Sequence, residues 1–252
     1  MGRSLAAFIL TLAMTLPVQA EPLTVAAASD LRYALDDMAE VFRADHPDIE
    51  LRIIYGSSGR MKRQISNGAP FDVFLSADIA FPEQLYRDGH GATEPEPYAI
   101  GRIVVWSPND DAQPLTLADL NAPGIRRVAI AQPQHAPYGQ RAVEALQSSG
   151  LWEAIEPRLV YGDNIAQTAR MVAAGGAEAG IIALSLARFP ELERHGYHLI
   201  DADLHSPLKQ GFLITARAAD NHHAQVFAEF LRSPQARHIL ADYGFEPPEG
   251  ND

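Results

Sequence analysis

The 252 residues are 47% hydrophobic and 21% charged, with 20 Lys and Arg against 32 Asp and Glu, a formal net charge of -12, and no cysteine. This length supports one large or two modest α/β domains with a full core, and the acidic balance excludes nucleic acid as a partner, since its phosphates demand Lys or Arg. Without cysteine the chain has neither a lipid attachment point behind a leader nor a disulfide staple.

In chain order, Arg3 precedes an apolar stretch from Leu5 to Leu16 that ends in Val18-Gln19-Ala20. This pattern predicts a secretory signal peptide over residues 1–20, cleaved before Glu21. Its removal takes Arg3 from the 20 basic residues and leaves 19 against 32 acidic ones. With long-range attraction thus excluded, an anion site in this chain has to work through local dipoles and hydrogen bonds. No later segment is long and apolar enough to cross a membrane.

Leu23 to Ala28 reads as a strand that runs through Ser29 and Asp30 into a helix with Leu31, Leu35, Met38 and Phe42 on one face. Such a junction presents the first N–H groups of a helix at the carboxyl end of a strand, where an anion can be held without a basic residue. The pattern recurs. Ile49 to Tyr55 reads as a strand followed by Gly56-Ser57-Ser58-Gly59 and a short helix; Phe71 to Ser76 is a continuous apolar run typical of a buried parallel strand. A Gly-, Pro- and Glu-rich stretch, Gly89 to Tyr98, marks a change of unit. Beyond it, strands are expected over Ile100–Trp106, Val128–Ala131, Leu159–Tyr161 and Gly180–Leu184, with a short helix over Leu115–Leu120. Pro137-Tyr138-Gly139 and Asp163-Asn164-Ile165 open two further helices. Lys209–Ile214 reads as a late strand, Ala224–Leu231 as a helix, and Ser233-Pro234 as the cap of a final helix.

Enzymatic motifs are poorly represented. There is no phosphate loop ending in Lys and Ser or Thr, no dinucleotide fingerprint and no nucleophile elbow; Gly56-Ser57-Ser58-Gly59 misses the elbow spacing by one, which disfavours a serine hydrolase. His222-His223 are adjacent and lack helical metal-ligand spacing. Four strand-end loops do agree with one another. If two lobes face a common cleft, Ser29, Ser58, Tyr138 and Ile165 can each present a backbone N–H, and the two serines add hydroxyl donors.

These residues carry a family resemblance. Ala26-Ala27-Ala28-Ser29, Gly56-Ser57-Ser58-Gly59, Gln64 to Pro70 with Asp72 to Asp78 behind it, Ala136-Pro137-Tyr138-Gly139 and Gly180-Ile181-Ile182-Ala183 resemble the periplasmic molybdate-binding proteins, soluble receptors of bacterial ABC importers for molybdate and tungstate. The resemblance covers Glu21 to about Pro248. It implies an α/β, two-lobed periplasmic-binding-protein fold of type II, each lobe a mainly parallel sheet flanked by helices, with the ligand in the interlobe cleft. It also implies a monomeric, non-enzymatic protein of the periplasm that needs no cofactor, holds molybdate or tungstate as the intact oxyanion with no residue coordinating the metal directly, and meets a membrane permease. The ligands it implies are Ser29, the backbone of Asp30, Ser58, Tyr138 and Ile165. Two departures stand out: Ala183 occupies a position that is tyrosine in many relatives, with Tyr138 where those have alanine, and Asp30 puts a carboxylate beside a dianion. The expectation is that the Asp30 side chain turns away or caps its helix. Receptors for sulfate, thiosulfate or phosphate-like anions share the fold and remain the alternative reading. The expected division is 21–99 plus 205–252 for one lobe and 100–204 for the other.

Overall fold

The computed structural model describes residues 21–108 and 113–248, so the signal peptide expected over 1–20 lies outside the described residues. The first third of the chain alternates strand and helix: β1 Leu23–Ala28, α1 Arg32–Asp45, β2 Leu51–Gly56, α2 Ser58–Ser66, β3 Val73–Ser76, α3 Ala80–Arg87 and β4 Glu96–Gly101. The middle follows with β5 Ile103–Trp106, β6 Val128–Ala131, α4 Pro137–Ser148, α5 Trp152–Ile155, β7 Leu159–Gly162, α6 Ile165–Ala173, β8 Ala179–Ala183, α7 Leu184–Ala187, α8 Pro190–Glu193 and β9 Tyr197–Leu199. β10 Leu208–Ile214, α9 His222–Arg232 and α10 Pro234–Asp242 complete it.

These strands form two five-stranded sheets, ordered β2-β1-β3-β10-β4 and β7-β6-β8-β5-β9. β1 pairs in parallel with β2 and β3, and β6 in parallel with β7 and β8, as strand-helix-strand crossovers require. One strand of each sheet is reversed: β10 runs antiparallel to β3 and β4, and β5 antiparallel to β8 and β9. The result is a two-lobed α/β protein of the type II binding-protein architecture. Alternation along β1 shows why both faces of its sheet are covered. Leu23, Val25 and Ala27 join α1 and α9 in one core, whereas Ala26 faces Met61, Ile65 and Phe74 in another.

The structure corrects the sequence reading in one place that matters. Ile100–Trp106 is not one strand: β4 ends at Gly101 and β5 begins at Ile103, and the two belong to different sheets. Arg102 is the crossing residue. Its carbonyl accepts the Leu184 N–H at 2.9 Å, and its guanidinium donates to Glu246 and to the Ile200 carbonyl. The Gly-Pro-Glu stretch to Tyr98 therefore leads into a strand of the first sheet and does not end it. The helix expected over Leu115–Leu120 is a 3-10 turn, Ala118–Asn121, after a Thr116 hydroxyl that accepts the Asp119 N–H.

Candidate functional site

The carboxyl ends of β1, β2, β6 and β7 point at one another across the two lobes, the position at which open α/β sheets bind ligands. Ser29 opens a 3-10 turn, Ser29–Leu31, ahead of α1; Ser58 is the first residue of α2; Tyr138 follows Pro137 at the start of α4; Ile165 starts α6 behind the Asn164 cap, whose Oδ1 accepts the Gln167 N–H at 3.0 Å. First-turn N–H groups have no acceptor within their own helix, so Ser58, Tyr138 and Ile165 present unspent donors at three helix starts.

All five residues singled out in the sequence are buried and line one small cavity between the lobes: Ser29, Asp30, Ser58, Tyr138 and Ile165. Ala28, Gly56, Ser57, Ala77, Ala136 and Pro137 complete its wall, so no Lys, Arg or His lines it. Its volume is about 10 Å³, far below the size of a typical organic-ligand pocket. Each serine oxygen accepts a backbone N–H, Ser58 from Ala77 at 3.0 Å and Ser29 from Ala166 across the cleft at 3.3 Å. With a lone pair so engaged, each hydroxyl proton is free to donate elsewhere.

Sequence reasoning missed the contacts that draw the lobes together. The Gly59 N–H donates to the His135 carbonyl at 3.0 Å, and the Ser57 hydroxyl lies 2.9 Å from His135 Nδ1. A Cβ on Gly59 would stand 2.8 Å from that carbonyl oxygen, so only glycine permits this approach. Burial, then the positive charges of Arg60 and Arg63, lower the His135 pKa and favour the neutral ring. Arg60 forms an ion pair with Asp163 at the mouth, and Arg141 of α4 reaches Asp78 of the other lobe at 3.2 Å.

The Asp30 side chain reaches both Tyr138 of the opposite lobe and Gln210 of its own. Its Oδ2 accepts the Tyr138 hydroxyl at 3.0 Å from the opposite lobe and the Gln210 amide of β10 at 2.7 Å, while Oδ1 has no protein partner. Gln210 in turn accepts the Tyr98 hydroxyl, and Ser185 of α7 donates to the Asp30 carbonyl at 2.8 Å. Burial pushes the Asp30 carboxyl up to about 6, opposed by the bonds from Gln210 and Tyr138 and by the nearby N–H groups of Asp30 and Leu31. Gln210 was detectable as a polar residue in phase with buried Leu208 and Phe212 on an apolar strand.

A polar cleft of about 380 Å³ adjoins the small cavity, sharing Gly56 and Ser57 with it, and carries Arg60, Asp163 and Arg170 at the outer mouth. An apolar groove of about 420 Å³ along α10 and β4 shares no residue with either. Among the described residues no group of three His, Asp or Glu side chains could hold a metal ion.

A very small cavity bounded by two lobes and furnished with helix-start N–H groups and serine hydroxyls defines a protein that binds a small solute. The chain belongs to the bacterial extracellular solute-binding protein family, whose model matches residues 23–246. It is 34% identical to the molybdate-binding protein ModA of Azotobacter vinelandii over 229 residues, 90% of each chain. It is 32% identical to ModA of Rhodobacter capsulatus over 243 residues, 95% of this chain and 94% of that one. Among solved structures it is similar to the Azotobacter vinelandii periplasmic molybdate-binding protein, with a TM-score of 0.83 at 30% identity, covering 90% of this chain and all of the other.

Proposed function

We propose that this protein captures molybdate, or tungstate, in the periplasm and presents it to the membrane permease of an ABC importer, acting as a binding protein and not as an enzyme. The observation that carries this reading is the cavity itself: too small for an organic substrate, free of cationic side chains, and bounded by residues from four strand-end loops. The similarity to molybdate-binding proteins along nearly the whole chain supports the choice of anion.

In this reading the Ser29 and Ser58 hydroxyls and the N–H groups at Asp30, Tyr138 and Ile165 hold the oxygens of the anion, and the metal meets no protein atom. Neutral donors suit a fully deprotonated dianion, because burying it is tolerable only when its oxygens are all hydrogen-bonded. The lobes divide at Arg102 and between β9 and β10, close to the expected bounds of 21–99 with 205–252 and of 100–204; they hinge at these two chain crossings, and closure buries the ligand. The protein works as a monomer.

Competition titration with molybdate, tungstate, sulfate and phosphate tests the ligand assignment. The two metal oxyanions should bind at least about a hundredfold more tightly than sulfate, roughly 2.7 kcal/mol. Equal binding of sulfate would transfer the protein to the sulfate and thiosulfate receptors, and preferred phosphate to a phosphate-like class.

A further inference from the structure

Asp30 sets a problem that the oxyanion reading does not solve. Asp30 is buried and lines the cavity; the Tyr138 and Gln210 hydrogen bonds both go to Oδ2, Oδ1 has no hydrogen-bond partner, and the Asp30 and Leu31 N–H groups stand near the carboxylate. An ionised carboxylate in that place would oppose a dianion at short range in a medium that screens charge poorly. The groups around it offer no cationic relief. Tyr138 of α4, Tyr98 of β4 and Gln210 of β10 are uncharged, and Ser185 of α7 bonds the Asp30 carbonyl. Of the cations on the elements packed against the Ser29–Leu31 turn, Arg32 of α1 lies over the Tyr55 ring at 4.6 Å. Arg170 of α6 lines the outer cleft, and Arg188, at the end of α7, donates to the Ala241 and Asp242 carbonyls. His135, on the loop before α4, faces Ser57.

We propose that Asp30 is a proton-linked selectivity residue: when the cleft closes on a fully deprotonated tetrahedral dianion, Asp30 is held as the neutral acid and its Oδ1–H donates to an oxygen of the anion, so that each capture takes up one proton. This rests on the oxyanion reading above. The proton comes from solvent as the anion enters and returns to solvent on release; no bond of the ligand is made or broken. The arrangement turns the side chain from a repulsive acceptor into a further donor and leaves Oδ2 to receive Tyr138 and Gln210 as it does now. Burial outweighs the opposing hydrogen bonds and raises the carboxyl to about 6 before any anion is present, and the charge of a dianion acts in the same direction as burial. Because Tyr138 reaches Asp30 from the opposite lobe, protonation and closure meet at one side chain.

The test is calorimetric titration of molybdate into the intact protein at pH 7.5 in two buffers of different ionisation enthalpy, with the dissociation constant followed from pH 6.5 to 8.5. Molybdate itself stays a dianion over this range, so any proton gained belongs to the protein. Wild type should take up close to one proton per anion, with Kd rising by up to tenfold per pH unit. Asp30→Asn, whose amide can donate without titrating, should take up almost none, and its Kd should be flat with pH. His135→Gln should keep the wild-type uptake. Molybdate binding by wild type with no proton uptake overturns the proposal and leaves the oxyanion reading intact, a result that does not depend on any variant folding. Uptake that survives in Asp30→Asn and vanishes in His135→Gln overturns it in favour of the imidazole. No molybdate binding at any pH overturns the functional reading and this proposal with it.

Discussion

Arg60 of α2 and Asp163, two residues before α6, face each other across the mouth of the cleft, with guanidinium nitrogens 3.0 and 3.2 Å from the two carboxylate oxygens. Both side chains are about half exposed, so the pair is worth no more than about 1 kcal/mol and weakens with salt. Because it joins residues of different lobes, it acts on the closed state alone. Arg60→Ala should accelerate anion release a few-fold at low salt, with the difference fading at high salt. Stopped-flow displacement across an ionic-strength series reads this directly; a release rate indifferent to both would show that the pair holds nothing shut.

The two serines separate binding from folding. Each charge-assisted bond to the anion is worth roughly 1.5 to 3 kcal/mol, so Ser29→Ala and Ser58→Ala should each weaken molybdate binding by about tenfold to a hundredfold. Their effects on the ligand-free protein should differ. Ser58 accepts the Ala77 N–H within one lobe, and its loss leaves a buried donor unpaired at a cost of about 1 to 3 kcal/mol. Ser29 accepts the Ala166 N–H only across the cleft, a bond that opening breaks in any case. Thermal unfolding without ligand should therefore show Ser58→Ala as the less stable of the two.

Gly59 offers a way to block closure without touching a donor. A Cβ there meets backbone, the His135 carbonyl at 2.8 Å, and no flexible side chain can give way. Gly59→Ala should leave each lobe folded and lower affinity by tenfold or more, with small-angle scattering showing less compaction on adding molybdate. Compaction equal to wild type would mean that the approach of α2 to His135 is dispensable.

Asp30 also makes the stability of the closed protein depend on pH in an unusual sense. Its folded pKa, about 6, lies above the ordinary 3.8, so the native state holds the proton more tightly than the unfolded chain does. Its contribution is then fully present below about pH 4 and is lost as pH rises through 6, on the order of 2 to 3 kcal/mol in all. Asp30→Asn should be more stable relative to wild type at pH 7.5 than at pH 4.5. Paired denaturant titrations at the two pH values measure the difference, and a gap of constant size would place the carboxyl in water.

Much of this site was legible in the sequence because it is built from local grammar. An apolar run that ends in small residues before a helix is read within about ten residues, and Ser29, Ser58, Tyr138 and Ile165 all sit at such junctions, in one cavity. What could not be read depends on distant pairing. Nothing local marks Arg102 as the point at which Ile100–Trp106 leaves one sheet for the other, since Ile, Val and Trp suit either. Nor could Asp30 be oriented, because its partners come from 108 and 180 residues further along the chain. Contacts between lobes, such as Ser57 with His135, depend on how two separately built sheets meet, which no periodicity encodes.

The central claim is that a metal oxyanion sits in the cavity between the lobes, and tungstate makes it directly visible. A crystal structure of the protein soaked or grown with tungstate, with diffraction collected at the tungsten edge, should show one strong anomalous peak in that cavity. Its oxygens should lie within hydrogen-bonding distance of the Ser29 and Ser58 hydroxyls and the Tyr138 and Ile165 N–H groups. An empty cavity at saturating tungstate, or a peak held elsewhere, would contradict the account.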